Sequence, residues 1–149
     1  MGLFAKTDLF EIQIKYVLVK SKGGIETIRV IDDTTEKGKD EEASLGDRVL
    51  TLHTYWISPN WKQSNDLLRK CMKYDPEAGK RELDWALYRS FLIESFMQKW
   101  DAAEEDAEGE SQAVPCSREN VERLDAQIAV ALVDRFLERT TVSEDDLGN

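Results

Sequence analysis

The chain has 149 residues, 41% hydrophobic and 9% aromatic, which suits one globular domain with a real core and excludes a disordered chain. Thirty acidic residues against 20 basic ones leave a net charge of -10, which repels phosphate backbones and argues against sequence-independent nucleic-acid binding. Cys71 and Cys116 make no CxxC pair, no apolar stretch approaches bilayer length, and no basic-then-apolar leader opens the chain, so a cytoplasmic, non-membrane protein with free thiols is expected.

Phe10, Ile12, Ile14, Tyr16 and Leu18 alternate with Glu11, Gln13 and Lys15, the period-two pattern of a strand with one buried face. Ser21 to Gly24 supply a turn, because glycine accepts the positive φ of tight hairpins, and Ile25 to Ile31 is the β-branched return strand. Residues 32–47, DDTTEKGKDEEASLGD, mix charges with small residues at no fixed period. They are expected to form a solvated, mobile loop, either a tolerated insertion or a partner-binding element. Arg48 to Ile57 is a third strand, with Leu50, Leu52, Thr54 and Trp56 on one face.

Ser58 and Pro59 read as a helix start, followed by Trp61, Leu68, Cys71 and Met72 at helical spacing as far as Tyr74. Asp75 to Gly79 then turns the chain. Arg81 to Trp100 is apolar nearly all round as a helix, with Trp85, Tyr88, Leu92 and Phe96 on one side and Leu83, Leu87 and Phe91 on another. Such a helix wants cover on several sides, so it is expected at the centre of the fold with Trp85 in the core.

Residues 101–116 gather Asp101, Glu104, Glu105, Asp106, Glu108 and Glu110, whose mutual repulsion predicts an exposed acidic connector. Ser117 as N-cap and Glu119 in the first turn open a last helix over 117–140, with Val121, Leu124, Ile128, Leu132 and Phe136 as one amphipathic stripe. The tail 141–149, with Glu144, Asp145 and Asp146, is expected to fray. The sum is one α+β domain over 1–149: a three-stranded antiparallel sheet within 8–57, a helical pair in 58–100, the connector, and the last helix. About three α-helices in all would cover the sheet.

No constellation supplies a nucleophile, base or metal. His53 is the sole histidine, so a histidine cage is excluded, and between Leu52 and Thr54 it reads as a structural strand residue. Gly23-Gly24 lacks a phosphate-loop lysine, and the acidic run lacks the alternating ligands of an EF-hand. Neither catalytic nor cofactor nor metal residues are expected. Protein binding is the class that remains, through Trp61, Trp100 and the stripe of Val121, Leu124, Ile128 and Leu132, which would serve a client or a second copy. A small acidic inhibitor is the rival reading. It would mimic nucleic-acid charge and block a basic groove of a host protein with Glu104, Glu105, Asp106, Glu108, Glu41 and Glu42.

The C-terminal half has a recognisable order: Leu83 to Trp100, a break from Asp101 to Pro115 containing Gly109, then Ser117, Glu119, Asn120 and Leu124 leading into Ile128 and Leu132. In this order it resembles the small tail assembly chaperones of long-tailed bacteriophages. The resemblance implies a non-enzymatic helper in the host cytoplasm that binds tail-tube and tape-measure proteins before assembly and is absent from the finished virion. A structural subunit of the virion is the alternative within the same setting.

Overall fold

The structure, a computed structural model, describes residues 3–141. The chain runs β1 (Phe10–Lys20), β2 (Glu26–Ile31), α1 (Glu36–Leu45), β3 (Leu50–Trp56), α2 (Trp61–Cys71), β4 (Met72–Asp75), β5 (Lys80–Leu83), α3 (Trp85–Phe96), β6 (Met97–Trp100), β7 (Ala103–Glu105), β8 (Ser111–Ala113), α4 (Arg118–Glu122) and α5 (Ala126–Thr140). The fold is mixed α and β as expected. Its main sheet, however, has four antiparallel strands in the order β2-β1-β3-β6 instead of three, and five α-helices lie among the described residues instead of about three.

The alternation in β1 and β3 does what it predicts. Ile12, Ile14, Leu52, Thr54 and Trp56 are buried on one face, and the turn between β1 and β2 places Gly24 at φ +79. Above that face lies α5, which touches β1 and β2, while α3 touches both α5 and α2. Phe136 of α5 stands at the middle of the core. Its ring stacks on Trp56 at 4.8 Å, Phe96 at 5.6 Å and Phe10 at 6.0 Å between centroids. Thr54, the one buried polar side chain among the described residues, donates to the Ile12 carbonyl at 2.8 Å and accepts from the Trp56 indole at 2.7 Å.

The expected mobile loop over 32–47 is replaced by α1. Thr35 caps it by accepting from the Gly38 N–H at 3.0 Å, and Glu41 and Glu42 reach Arg29 and Lys15, each at 2.6 Å. The helix lies over Val17 and Ile31, which are buried but outside the main core cluster, so it covers part of the sheet's second face. With charged residues at most of its positions it has no apolar period to read.

The expected central helix over 81–100 is three elements. Lys80–Leu83 pairs with Met72–Asp75 as a hairpin, α3 occupies only the middle, and Met97–Trp100 joins β3 in the sheet. Asp84 ends the hairpin and caps α3, its carboxylate accepting from the Leu87 N–H at 3.2 Å. Trp85 therefore sits on the first helical turn and is 59% exposed, which corrects its expected place in the core. In α2 the cap is Asn60 with Gln63, a reciprocal capping box, and not Ser58. Leu67 and Cys71 form its buried face, while Leu68 points outward.

The acidic segment 101–116 is also more ordered than an exposed connector. Its ends form the hairpin β7-β8, and the Asp106 carboxylate holds the turn by accepting from the N–H groups of Glu108 at 2.9 Å and Glu110 at 3.0 Å. Of the other carboxylates, Asp101 accepts from the His53 N–H and Glu104 from Arg123, while Glu105, Glu108 and Glu110 face solvent, which lowers the repulsion that a compact arrangement would carry. The last helix begins at Ser117 as expected but breaks, because Asp125 leaves the helical conformation and caps α5 through the Gln127 N–H at 2.9 Å. The expected frayed tail lies, beyond Thr141, outside the described residues.

Candidate functional site

The break between α4 and α5 makes a groove. A continuous helix would lie flush along α3. Turning the chain at Arg123–Asp125 instead holds Val121 and Leu124 apart from α5 and opens a hollow of about 350 Å³ against α3. Ile93 and Val133, both buried, form its floor, and Val121, Leu124 and Ala129 its half-buried walls, with Val130 exposed at the lip. The α3 wall is lined by small residues, Ala86 and Ser90, one turn apart. Small side chains at that spacing let another element approach the helix closely. At the rim Arg118 Nε lies 3.6 Å from Glu94 and 3.4 Å from Glu122, a partly exposed charge cluster beside apolar walls. Two further hollows flank α5, a more open apolar one toward Val30 on β2 and one of mixed lining toward Tyr16, Ile28, Leu50 and Asp101.

The six expected contact residues separate into four kinds. Val121 and Leu124 line the groove and remain available. Ile128 and Leu132 do not, at 3% and 0% exposed, because the stripe they continue is turned onto the sheet and forms core. Trp61 is 82% exposed on the first turn of α2, away from the groove lining. Trp100 is half-buried and donates its indole N–H to the Val114 carbonyl at 2.6 Å, so it fastens β6 to the end of the β7-β8 hairpin. Ala129 and Val130 broaden the apolar stripe of the last helix in the sequence, whereas sequence reasoning missed Ala86 and Ser90; the signal was two small residues one turn apart in α3.

His53 has acidic neighbours without a cleft. On the sheet's outer face its Nδ1–H donates to Glu11 Oε1 at 2.6 Å, and Asp101 Oδ2 lies 4.0 Å from Nε2. The hydrogen bonds from His53 and Gln13 hold the Glu11 carboxyl below the usual carboxylate range. All three side chains are more than a third exposed, and no group of three or more His, Cys, Asp or Glu able to hold a metal exists among the described residues. Burial pushes both cysteine thiols, Cys71 and Cys116, above their ordinary value, away from the reactive thiolate form.

The acids of the expected inhibitor surface are largely engaged within the fold. Glu41 and Glu42 pair with Arg29 and Lys15, Glu104 accepts from Arg123 at 2.8 Å, and Asp106 is committed to its turn. No helix among the described residues is long and apolar enough to cross a membrane. Comparison of the chain with protein-family models, with curated proteins and with solved structures finds no match.

Proposed function

We propose that this chain is a non-enzymatic protein-binding module of the tail-assembly-chaperone kind, acting in the cytoplasm of an infected host to shield a tail-tube or tape-measure protein before assembly. The observation that carries the reading is the open groove between α3 and the α4–α5 break, with an apolar floor of Ile93 and Val133, mostly apolar walls, and Arg89, Glu94 and Glu122 as the charged part of its lining. An apolar client segment laid there would cover Val121, Leu124 and Val130 without disturbing the core. The net charge of -10 keeps such a complex soluble. The acidic-inhibitor reading has less support, since Glu41, Glu42, Glu104 and Asp106 are occupied by partners inside the chain.

Co-expression with candidate tail-tube and tape-measure proteins tests this. The wild-type chain should keep one of them soluble in a complex that survives moderate salt. The double variant Ala86→Asp with Val130→Asp, both exposed positions on the groove, should lose the complex and keep the wild-type melting temperature. A complex that forms equally well with the double variant, or that dissolves on adding salt, contradicts the reading.

A further inference from the structure

Strand β1 outruns its neighbour. β2 pairs only with Lys15 to Lys20 and ends where Ile31 faces Lys15, whereas β3 pairs with Phe10 to Tyr16. Phe10 to Ile14 thus have a strand on one side and none on the other. In an antiparallel pair, opposed residues either both point their backbone groups at each other or both point them away. His53 directs its N–H and C=O away from β1, to Asp101 at 2.8 and 3.1 Å, so its opposite residue Gln13 directs its own away from β3, into the lane that β2 has left. Glu11 faces the same way, its carbonyl accepting from Arg139 Nη1 at 3.2 Å. Among the described residues no hydrogen bond reaches the Gln13 backbone from the lane.

The lane is real space. An opening of about 430 Å³ lies beside Glu11 to Gln13, bounded by Asp33 and Thr34 at one end and by Glu138 and Arg139 of α5 above. Beside it Phe10 to Ile14 offer the unpaired side of a short strand, at roughly 3.3 Å per residue, for another to run along. The unmet N–H and C=O of Gln13, next to a Glu11 carbonyl held only by the Arg139 side chain, select one kind of occupant, another extended backbone.

This chain carries a segment with the matching need. Residues 3–9 contain no helix or strand, and Leu3 and Phe4 are 99% and 89% exposed. The arm runs directly into β1 and borders Ser58 and Pro59 with Lys6, Asp8 and Leu9, past the end of its own lane. Extended, it places Lys6 and Asp8 on one side, the complement of Glu138 and Arg139 above the lane. We propose that the arm of a second copy enters the lane as an added strand beside Glu11 to Gln13, and that two copies exchange arms in this way. The incoming N–H takes the Glu11 carbonyl, the incoming carbonyl meets the Gln13 N–H, and Arg139 turns to Asp8.

Sedimentation equilibrium of the full chain, from micromolar to submillimolar concentration, tests the exchange. The wild-type chain should approach twice 17.1 kDa. Gln13→Pro deletes the lane-facing N–H that an incoming carbonyl would take and no bond to β3, so it should return the chain to monomer with its far-ultraviolet circular dichroism intact. If that variant fails to fold, Leu3→Ser with Phe4→Ser, at exposed positions, decides alone and should also give a monomer. A wild-type chain that stays monomeric overturns the proposal. So does a dimer that persists in the Leu3→Ser, Phe4→Ser variant, or one that Val130→Asp dissolves while those two substitutions do not.

Discussion

The two faces of the sheet are held by different physics. The inner face is apolar apart from Thr54, with Trp56, Phe96 and Phe136 in contact and α5 and α3 laid over it. The outer face carries Glu11, Gln13, Lys15 and His53, and its cover, α1, is attached by a cap, two carboxylate ion pairs and a small apolar contact over Val17 and Ile31. The β7-β8 hairpin belongs with the second kind, since one aspartate holds its turn. The groove is walled by elements of the first kind, so filling it would leave the ion pairs and caps of the outer face in place.

The largest effect should come from the inner face. Phe136→Ala removes a ring that stacks on three others and leaves a cavity, at a cost of about 3–5 kcal/mol. Thermal unfolding should show a single transition lowered by on the order of 10 °C. If only α5 loosened while the sheet melted unchanged, the core would not be one cooperative unit.

A smaller and local effect is expected on the outer face from Gly38→Ala. A Cβ there would lie 1.6 Å from the Asp32 carbonyl oxygen, so the start of α1 must move away from the end of β2. The cost should be about 1–3 kcal/mol, confined to α1. Hydrogen exchange should rise across Glu36–Leu45 and stay constant in β1 and β3, whereas a rise throughout the sheet would merge the two regions that are separated here.

The smallest effect is pH-dependent. Backbone N–H groups of Glu110 and Glu108 hold the Asp106 carboxyl below its ordinary value of 3.8 in the folded chain. A lowered folded value means stability that is present above 3.8 and lost as pH falls through the folded value. Acidification through that window should open the β7-β8 turn, read as loss of protection at the Glu108 and Glu110 amides, and Asp106→Asn, which has no carboxyl to protonate, should abolish that pH dependence.

The inner face was legible in the sequence because burial on one side writes itself as alternation. Phe10 to Leu18 and Leu50 to Trp56 carry that record, and the register follows it. What was illegible lacked such a record. α1 is specified by Thr35 and by charges whose partners are on β1 and β2, and a charge does not announce its partner. Met97 to Trp100 was read as helix because four residues are too few to separate period two from period 3.6 after a helix. The groove was half legible. Val121 and Leu124 stand where the amphipathic stripe put them, but the turn at Asp125 sends Ile128 and Leu132 into the core, and a stripe cannot reveal a break that is made by one capping aspartate.

On the proposed function, an apolar polypeptide segment of the bound protein lies in the groove between α3 and the α4–α5 break. Amide hydrogen exchange of the chain, alone and in complex with a co-purified tail-tube or tape-measure protein, measures this directly. Slower exchange on binding should appear in Trp85–Ile93 and Arg118–Val133, with the β7-β8 hairpin unchanged. Protection concentrated instead on Ala103–Ala113, with the groove segments unchanged, would contradict the account and favour a charge-driven contact.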